Sequence, residues 1–276
     1  MNILFWNIHK KNSFFDVIAS FVKEEDIDIV FLAEFPTGEG NEKALETVLQ
    51  NSVDSSYLHL FPYAARKIET FTRIGSPVFE SKEDKNRYSV FSIWDPSHTF
   101  RFNLFVCHLV DRINYSADSQ GKKASIMHRE IEAFEDETEC RNSIICGDFN
   151  MNPFEKGMYY ADSFNAVMEK RIANYLSRKV DGFEYRYFYN PMWGYMGDLG
   201  NGSVPGTYYQ SASGIDVLHW HLLDQVIIRP SVIPFFDDKE LKILSQTSQF
   251  SLLTNQGIIN KNDYSDHLPI KFKISI

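Results

Sequence analysis

Short apolar runs recur along the chain, and several of them finish in a single polar or charged residue. The first run, NILFWN at 2–7, predicts a buried strand that ends at Asn7. The run DIVFLAE at 28–34 predicts a second strand that ends at Glu34, and a helix with one apolar face fits the segment between them. The pattern therefore places chemically useful side chains at strand ends, on a rigid frame.

Strand-like segments outnumber helical ones and extend over the whole length. The predicted strands lie at 2–7, 28–34, 87–94, 100–109, 142–150, 218–229 and 268–275, and the predicted helices at about 13–23, 42–50 and 118–136. The segment 181–215 is expected to be irregular. The pattern predicts an α/β or α+β protein with a large, mostly antiparallel sheet system, organised as one domain over residues 1–276.

Composition indicates a folded protein, and the net charge limits how it could bind nucleic acid. Of the 276 residues, 43% are hydrophobic and 15% aromatic, which argues against a disordered chain. The formal net charge of −9 argues against unspecific binding of nucleic acid over the whole surface. This negative charge is compatible with an enzyme that binds phosphate through a metal cation, because the cation makes the local electrostatic potential positive.

The sequence favours a cytoplasmic protein without a membrane partner. No apolar run approaches the roughly 20 residues that span a bilayer, and we identify no exposed apolar hairpin for membrane docking. The first apolar residues precede the lysines, which is the reverse of a signal peptide. The chain has three cysteines, Cys107, Cys140 and Cys146. This low, odd number argues against a disulfide scaffold.

Six segments carry a carboxylate, carboxamide or imidazole at or near the end of an apolar run. These side chains are Asn7, Glu34, His108, Asp148 with Asn150, Asp224, and Asp266 with His267. Taken singly, each has an ordinary structural explanation, such as a solvated loop glutamate or a Gly-Asp turn. Together they supply what phosphoester hydrolysis needs, namely oxygen ligands for Mg²⁺ or Mn²⁺, an activated water and donors to phosphoryl oxygens.

The ordered motifs WNI, LAEF, CHL, GDFNMNP, LLDQV and SDHLPI resemble those of the endonuclease/exonuclease/phosphatase (DNase I-like) superfamily. The resemblance covers nearly the whole chain, and GDFN and SDH are its specific parts. Members include DNase I-like nucleases, abasic-site endonucleases, inositol polyphosphate 5-phosphatases, sphingomyelinases and deadenylases. The resemblance implies a four-layered sandwich, in which two packed, mostly antiparallel β-sheets are flanked by helices.

The resemblance also implies a role for each matching residue. It assigns metal binding to Asn7, Glu34 and Asp266, and catalysis to His108, Asp148, Asn150, Asp224 and His267. Asp148 would orient or deprotonate the attacking water, and Asn150 would contact the phosphate. His267 would meet the scissile phosphate, with Asp224 orienting its ring.

Two further positions, Asp111 and Glu69, bear on the substrate specificity and on the orientation of His108. Asp111 stands where abasic-site enzymes have asparagine, which argues against abasic-site specificity. Glu69 has two interpretations: it is the carboxylate that orients His108 in DNase-like members, or it is a surface glutamate. We favour the surface glutamate.

We expect a Mg²⁺-dependent phosphodiesterase, with Mn²⁺ as a substitute, and a nucleic acid as its first-ranked substrate. The alternatives are a phosphomonoesterase or a phospholipid or inositol-phosphate esterase and, in another class, a catalytically inactive binding scaffold. A scaffold would be expected to lose part of the site, yet every matching residue is present. No obligate protein partner is inferred. The segment 183–210 is rich in aromatics, which suits either stacking on unpaired bases or ordinary core packing.

Overall fold

The computed structural model describes residues 1–62, 67–200, 202–211 and 217–276. Its strands are β1 (Asn2–Asn7), β2 (Ile29–Ala33), β3 (Leu58–His59), β4 (Ile68–Thr72), β5 (Phe79–Asp84), β6 (Tyr88–Trp94), β7 (Arg101–His108), β8 (Ser143–Asp148), β9 (Ala166–Val167), β10 (Ser177–Val180), β11 (Phe183–Arg186), β12 (Phe188–Tyr189), β13 (Tyr208–Tyr209), β14 (Trp220–His221), β15 (Asp224–Ile228), β16 (Lys242–Ile243) and β17 (Ile270–Lys273). The helices are α1 (Phe15–Glu24), α2 (Asn41–Ser52), α3 (Ala117–Glu137), α4 (Lys156–Tyr159) and α5 (Lys170–Ala173).

Two large sheets contain most of these strands. The six-stranded sheet has the order β16-β17-β1-β2-β4-β3, and the seven-stranded sheet has the order β5-β6-β7-β8-β15-β12-β9. Most neighbouring strands are antiparallel; the β1–β2, β7–β8 and β9–β12 pairs are parallel. The predicted sheet system is confirmed.

Apolar residues cover both faces of each sheet, which explains the unbroken apolar runs in the sequence. Along β7, Leu104 and Val106 belong to the core between the sheets, whereas Phe105 and Cys107 pack in a second core beneath α3. Along β1 and β2, the Trp6 ring contacts Phe21 of α1, and Phe31 contacts Phe91 of the other sheet. The result is the expected order of layers: helix, sheet, sheet, helix.

Two helical crossovers bring the polar strand ends to one edge. Helix α1 connects parallel strands β1 and β2, and α3 connects β7 and β8, so all four strands end at the same side of the sheet pair. In register, His108 stands beside Asp148, and Asp224 at the start of antiparallel β15 lies opposite Asp148. We call this side of the molecule the polar edge.

Gly147 allows β8 to approach β7 closely just before Asp148. Its φ of +145° is one that L side chains rarely adopt, and a Cβ there would lie 2.0 Å from the carbonyl oxygen of Cys107. Glycine at this position is therefore a requirement of the strand pairing that delivers Asp148.

Two sequence expectations need correction. The predicted strand 218–229 divides into β14 and β15, because Thr207 Oγ1 accepts the backbone N–H groups of Leu223 and Asp224 at the break. The segment 181–215 is not wholly irregular, since β11, β12 and β13 lie in its described part, which omits 201 and 212–215. The hairpin formed by β10 and β11 is exposed, with Phe183 67% exposed, but its strands SRKV and FEYR are mostly polar or charged.

Strand β12 was hard to predict because its pairing partners, β9 and β15, lie about 20 and 40 residues away in sequence. None of the helices in the described ranges is long and apolar enough to cross a bilayer.

Candidate active site

Asp148 connects the two sheets at the polar edge. Its Oδ2 accepts a hydrogen bond of 3.0 Å from Asn7 Nδ2, and its Oδ1 accepts one of 2.8 Å from the backbone N–H of Asn150. Asn150 has φ +53°, a left-handed conformation that asparagine tolerates, and its Nδ2 donates to Leu109 O at 3.1 Å. The carboxylate, only 1% exposed, is thus fixed by groups from both sheets.

His267 and Asp224 form a buried pair next to Asp148. His267 Nδ1 lies 2.8 Å from Asp224 Oδ2, and its Nε2 lies 4.0 Å from Asp148 Oδ2. Burial lowers the pKa of His267, but Asp224, Asp148 and Asp266 outweigh that effect and raise it to about 10. Burial also raises the pKa of Asp224, which the neighbouring imidazolium opposes. We conclude that His267 carries a proton on both ring nitrogens at neutral pH.

His108 links Asp148 to Glu34. Its Nε2 lies 3.6 Å from Glu34 Oε1 and 3.8 Å from Asp148 Oδ2. Glu34 follows β2 with φ +50°, which turns its side chain into the site. The other ring nitrogen of His108, Nδ1, is buried and has no hydrogen-bond partner within the described ranges.

Asp266 reaches the cluster through a residue that sequence reasoning missed, His9. The Nδ1 atom of His9 lies 3.4 Å from Asp266 Oδ1 and 3.9 Å from Glu34 Oε2. A half-exposed imidazole thus stands between two carboxylates. The signal was available, because His9 comes two residues after Asn7 in WNIH. All eight predicted residues therefore lie together at the polar edge.

Oxygen atoms suited to a hard cation lie on the Glu34 side of this cluster. Oδ1 of Asp266 is buried without a hydrogen-bond partner in the described part of the chain, and the nearest polar contacts of Glu34 are the two imidazoles. With the side-chain oxygen of Asn7, these carboxylates form the oxygen-rich set that Mg²⁺ and Mn²⁺ prefer. The residues present fit such a cation.

A second acidic group lies deeper in the site and fits a cation less well. Asp148, Asp224 and His267 bring one potential ligand atom each within 4.8 Å of the others. Two of these residues already share the 2.8 Å hydrogen bond, which a metal would have to break. On the Glu34 side, Asp266 Oδ1 has no hydrogen bond within the described ranges, and Asn7 Oδ1 accepts only the backbone N–H of His9, at 3.1 Å.

No protein-family model and no curated protein matches the sequence, but solved structures match the whole fold. An endonuclease/exonuclease/phosphatase family protein from Leptotrichia buccalis C-1013-b is 16% identical, with a TM-score of 0.59 over 100% of both chains. A mannosyl-6-phosphatase from Bacteroides thetaiotaomicron VPI-5482 is 13% identical, with a TM-score of 0.59 over 100% of both chains. The endonuclease domain of TRAS1, a telomere-specific non-LTR retrotransposon, is 12% identical, with a TM-score of 0.55 over 100% of this chain and 98% of that one. This chain has the endonuclease/exonuclease/phosphatase fold.

Within this endonuclease/exonuclease/phosphatase fold, an aromatic side chain also borders the site. The ring of Tyr208 lies 4.9 Å from the ring of His267 and 6.1 Å from that of His221. Burial raises the pKa of Tyr208, and so do the nearby carboxylates of Asp266 and Asp148. The aromatic richness of 183–210 was the only sequence signal for it, and that signal did not distinguish Tyr208 from its neighbours.

The structure overturns the expectation that Glu69 is a surface residue. Glu69 is 5% exposed, and its Oε2 lies 2.7 Å from His59 Nε2. Since Nδ1 of His108 has no partner in the part described, Glu69 does not orient that ring through Nδ1 either. Asp111 has a structural task, because its Oδ1 accepts the backbone N–H of Asn114 at 2.8 Å.

Proposed function

We propose that this chain is a single catalytic domain that hydrolyses phosphodiester bonds of nucleic acid with the help of a divalent cation. The observation that carries the proposal is the compact cluster of Asp148, His108 and the His267–Asp224 pair, each contact within 4.0 Å. A buried carboxylate beside two imidazoles, one of them charged, is suited to moving a proton next to an anionic substrate.

Asp148 is the proton acceptor in this proposal. Its Oδ2 faces both imidazoles, and the Asn7 amide holds it in place, so water bound beside it loses its proton to a fixed acceptor. His267 Nε2–H donates to a phosphoryl oxygen as negative charge builds up there, while Asp224 keeps the ring protonated. Asn150 commits one Nδ2 hydrogen to Leu109 and offers the other to the phosphate.

Glu34, Asp266 and Asn7 would hold Mg²⁺, or Mn²⁺ in its place, which when bound supplies positive charge at the phosphoryl oxygens. His108 then lies between this charge and Asp148, at 3.6 Å from Glu34 and 3.8 Å from Asp148. Its position suits contact with a phosphoryl oxygen through Nε2.

Phosphomonoester hydrolysis is the second candidate, because one structural neighbour is a mannosyl-6-phosphatase. The first candidate has its own neighbour in the TRAS1 endonuclease domain. A substrate panel separates them: single- and double-stranded DNA, RNA, inositol phosphates, a sugar phosphate and a simple diester, each with and without Mg²⁺. Turnover of sugar phosphates alone would select the monoesterase. Absence of metal-dependent turnover on every substrate would favour the inactive scaffold.

Replacing Glu34→Gln tests the cation assignment on the same panel. The change removes a charge with little change of shape, so we expect an unchanged fold and a raised Mg²⁺ requirement with reduced activity. Glu39→Gln is the matched control, because Glu39 is exposed in the following loop. Equal activity of wild type and Glu34→Gln at limiting Mg²⁺ would contradict the role of Glu34.

A further inference from the structure

An apolar pocket lies beside the loop that leaves the active site, and the proposed chemistry does not use it. This side pocket, of about 580 Å³, is lined by Phe154, Tyr159, Asn165, Tyr187, Trp193 and Arg178, among others. Its volume falls in the range of small-molecule sites. Phe154 follows Asn150 by four residues and is 43% exposed, which is costly for a phenylalanine unless something covers it.

Asn165 carries a buried hydrogen-bond acceptor without a donor. The side chain is 1% exposed, and its Nδ2 donates to the carbonyl oxygens of Tyr185 and Arg186 at 3.3 and 3.2 Å. Because both partners are acceptors, the amide orientation is fixed, and Oδ1 is left without a hydrogen bond in the described part of the chain. Buried acceptors of this kind are normally satisfied.

Trp193 carries the complementary group, a buried hydrogen-bond donor without an acceptor in the described part of the chain. Its indole Nε1–H has no acceptor among the described residues, although indole nitrogens normally find one when buried. Every nucleobase presents a donor beside an acceptor on its pairing edge, so an unpaired base offers partners of both kinds. An aliphatic chain offers neither.

Arg178 gives the pocket rim a positive charge within a chain of net charge −9. It is exposed on β10 and makes no ion pair with any described residue, whereas Arg171 nearby pairs with Glu169 at 2.9 Å. Aromatic walls with an unpaired cation at the rim are the elements that bind single-stranded nucleic acid. The cation would meet a phosphate of the same strand.

A hydrogen-bond relay connects the pocket wall to the active site. Asn190 Oδ1 accepts the N–H of Met192 at the start of the turn that carries Trp193, and its Nδ2 donates to Gln225 Oε1 at 2.8 Å. Gln225 follows Asp224, and its Nε2 donates to Met151 O at 2.6 Å, directly after Asn150. The pocket is thus built on the same segments that carry Asp224 and Asn150.

We propose that the side pocket binds one unpaired base of a single-stranded nucleic acid whose backbone continues into the active site. The proposal rests on the proposed function and deepens it by naming single strands as the preferred substrate. Phe154 and Tyr187 form the stacking walls, and Arg178 contacts a phosphate. Trp193 Nε1 and Asn165 Oδ1 are shielded from solvent, so they meet the base edge when the base displaces the groups that cover them.

The test measures binding without Mg²⁺, so that cleavage does not interfere. The probes are two fluorescent DNA strands of about 12 nucleotides, one with normal bases and one with abasic residues throughout. We expect wild type to bind the first more tightly and Phe154→Ala to lose about tenfold of that preference. Trp193→Phe keeps an aromatic ring but removes the N–H donor together with part of the ring area, so it should weaken binding of the normal strand alone. Phe61→Ala is the control at an exposed aromatic outside the pocket.

Arg178 has a matched control in the next residue of β10. Arg178→Gln should weaken binding of both strands, whereas Lys179→Gln removes the same charge from a side chain that does not line the pocket and should have little effect. Equal base preference in wild type, Phe154→Ala and Trp193→Phe would overturn the proposal. Loss of vesicle binding or of self-association in Phe154→Ala, without a change in DNA binding, would also overturn it by assigning the pocket to a lipid surface or a second copy.

The two proposals fail in different ways. Base-dependent binding without metal-dependent cleavage would leave the pocket assignment intact and remove the nuclease function. Metal-dependent cleavage together with an unchanged base preference in the pocket variants would remove the pocket assignment and leave the nuclease function intact.

Discussion

At the polar edge, the environment of His267 changes the pKa of its ring. His267 is buried, which by itself favours the neutral ring, yet three carboxylates raise its pKa to about 10. Asp148 accepts hydrogen bonds from Asn7 and Asn150, which hold its carboxylate in place. A proton donor and a proton acceptor therefore lie 4.0 Å apart at the polar edge, where a substrate can contact both from the same side.

His267→Ala should lower kcat at saturating Mg²⁺ by at least about a hundredfold, since one oxyanion donor commonly contributes that much. Substrate affinity should change less, because the interaction strengthens mainly in the transition state. Steady-state kinetics on the best substrate of the panel measures both. His98→Ala, at an exposed loop histidine, is the control and should behave as wild type.

Asp224→Asn should give a related loss that is not additive with the first, because Asp224 acts only through the His267 ring it contacts at 2.8 Å. The double variant should therefore lose about as much kcat as His267→Ala alone. Wild-type turnover in both single variants would make the pair purely structural.

At the scale of strands and helices, some positions of the site residues could be predicted from the sequence and others could not. The strands that end near Asn7, Glu34, His108 and Asp148 could be predicted, because a buried strand is recognised from its own apolar residues. These side chains lie together because parallel strands joined by a helical crossover end at the same edge of a sheet. Pairings such as His59 with Glu69 could not be predicted, since the residues belong to two strands whose register depends on the whole sheet.

Gly147→Ala should destabilise the protein by at least about 2 kcal/mol and lower activity with it. The new Cβ would lie 2.0 Å from Cys107 O, so β7 and β8 must shift apart next to Asp148. Denaturant unfolding measures the loss. The matched control is Gly121→Ala in α3, where nothing lies within 4 Å; removing a helical glycine there should stabilise by about 0.5–1 kcal/mol. Equal stability of both variants would contradict this account.

At the scale of the whole molecule, the layered order was predictable, whereas the polar contacts between layers were not. The spacing of apolar residues predicted a helix at about 118–136, the segment that forms α3. It did not predict that Glu135 would be fully buried and bonded to Arg229 at 2.8 and 2.9 Å, nor that His128 would be buried beside them. Such pairs depend on which far-away strand end meets the helix.

His128 makes the stability of the whole chain sensitive to mild acid. Burial, together with the nearby Arg229, Arg186 and Arg129, lowers its pKa to about 3, while Glu132 Oε1 lies 3.5 Å from its Nε2. The unfolded chain takes up a proton on this ring below about pH 6.5, and the folded chain does not until about pH 3. The unfolded state therefore binds more protons in that window, and the free energy of unfolding falls as the pH falls.

His128→Gln should flatten this dependence. Between pH 7 and pH 5, we expect wild type to lose roughly 2 kcal/mol more unfolding free energy than the variant, as measured by urea titration at each pH. The titration of the carboxylates and of His267 is common to both proteins, so it cancels in the difference. His98→Gln, at an exposed histidine, should keep the wild-type slope. Parallel stability curves for wild type and His128→Gln would show that the ring takes up its proton in the folded state, which contradicts a buried, neutral His128.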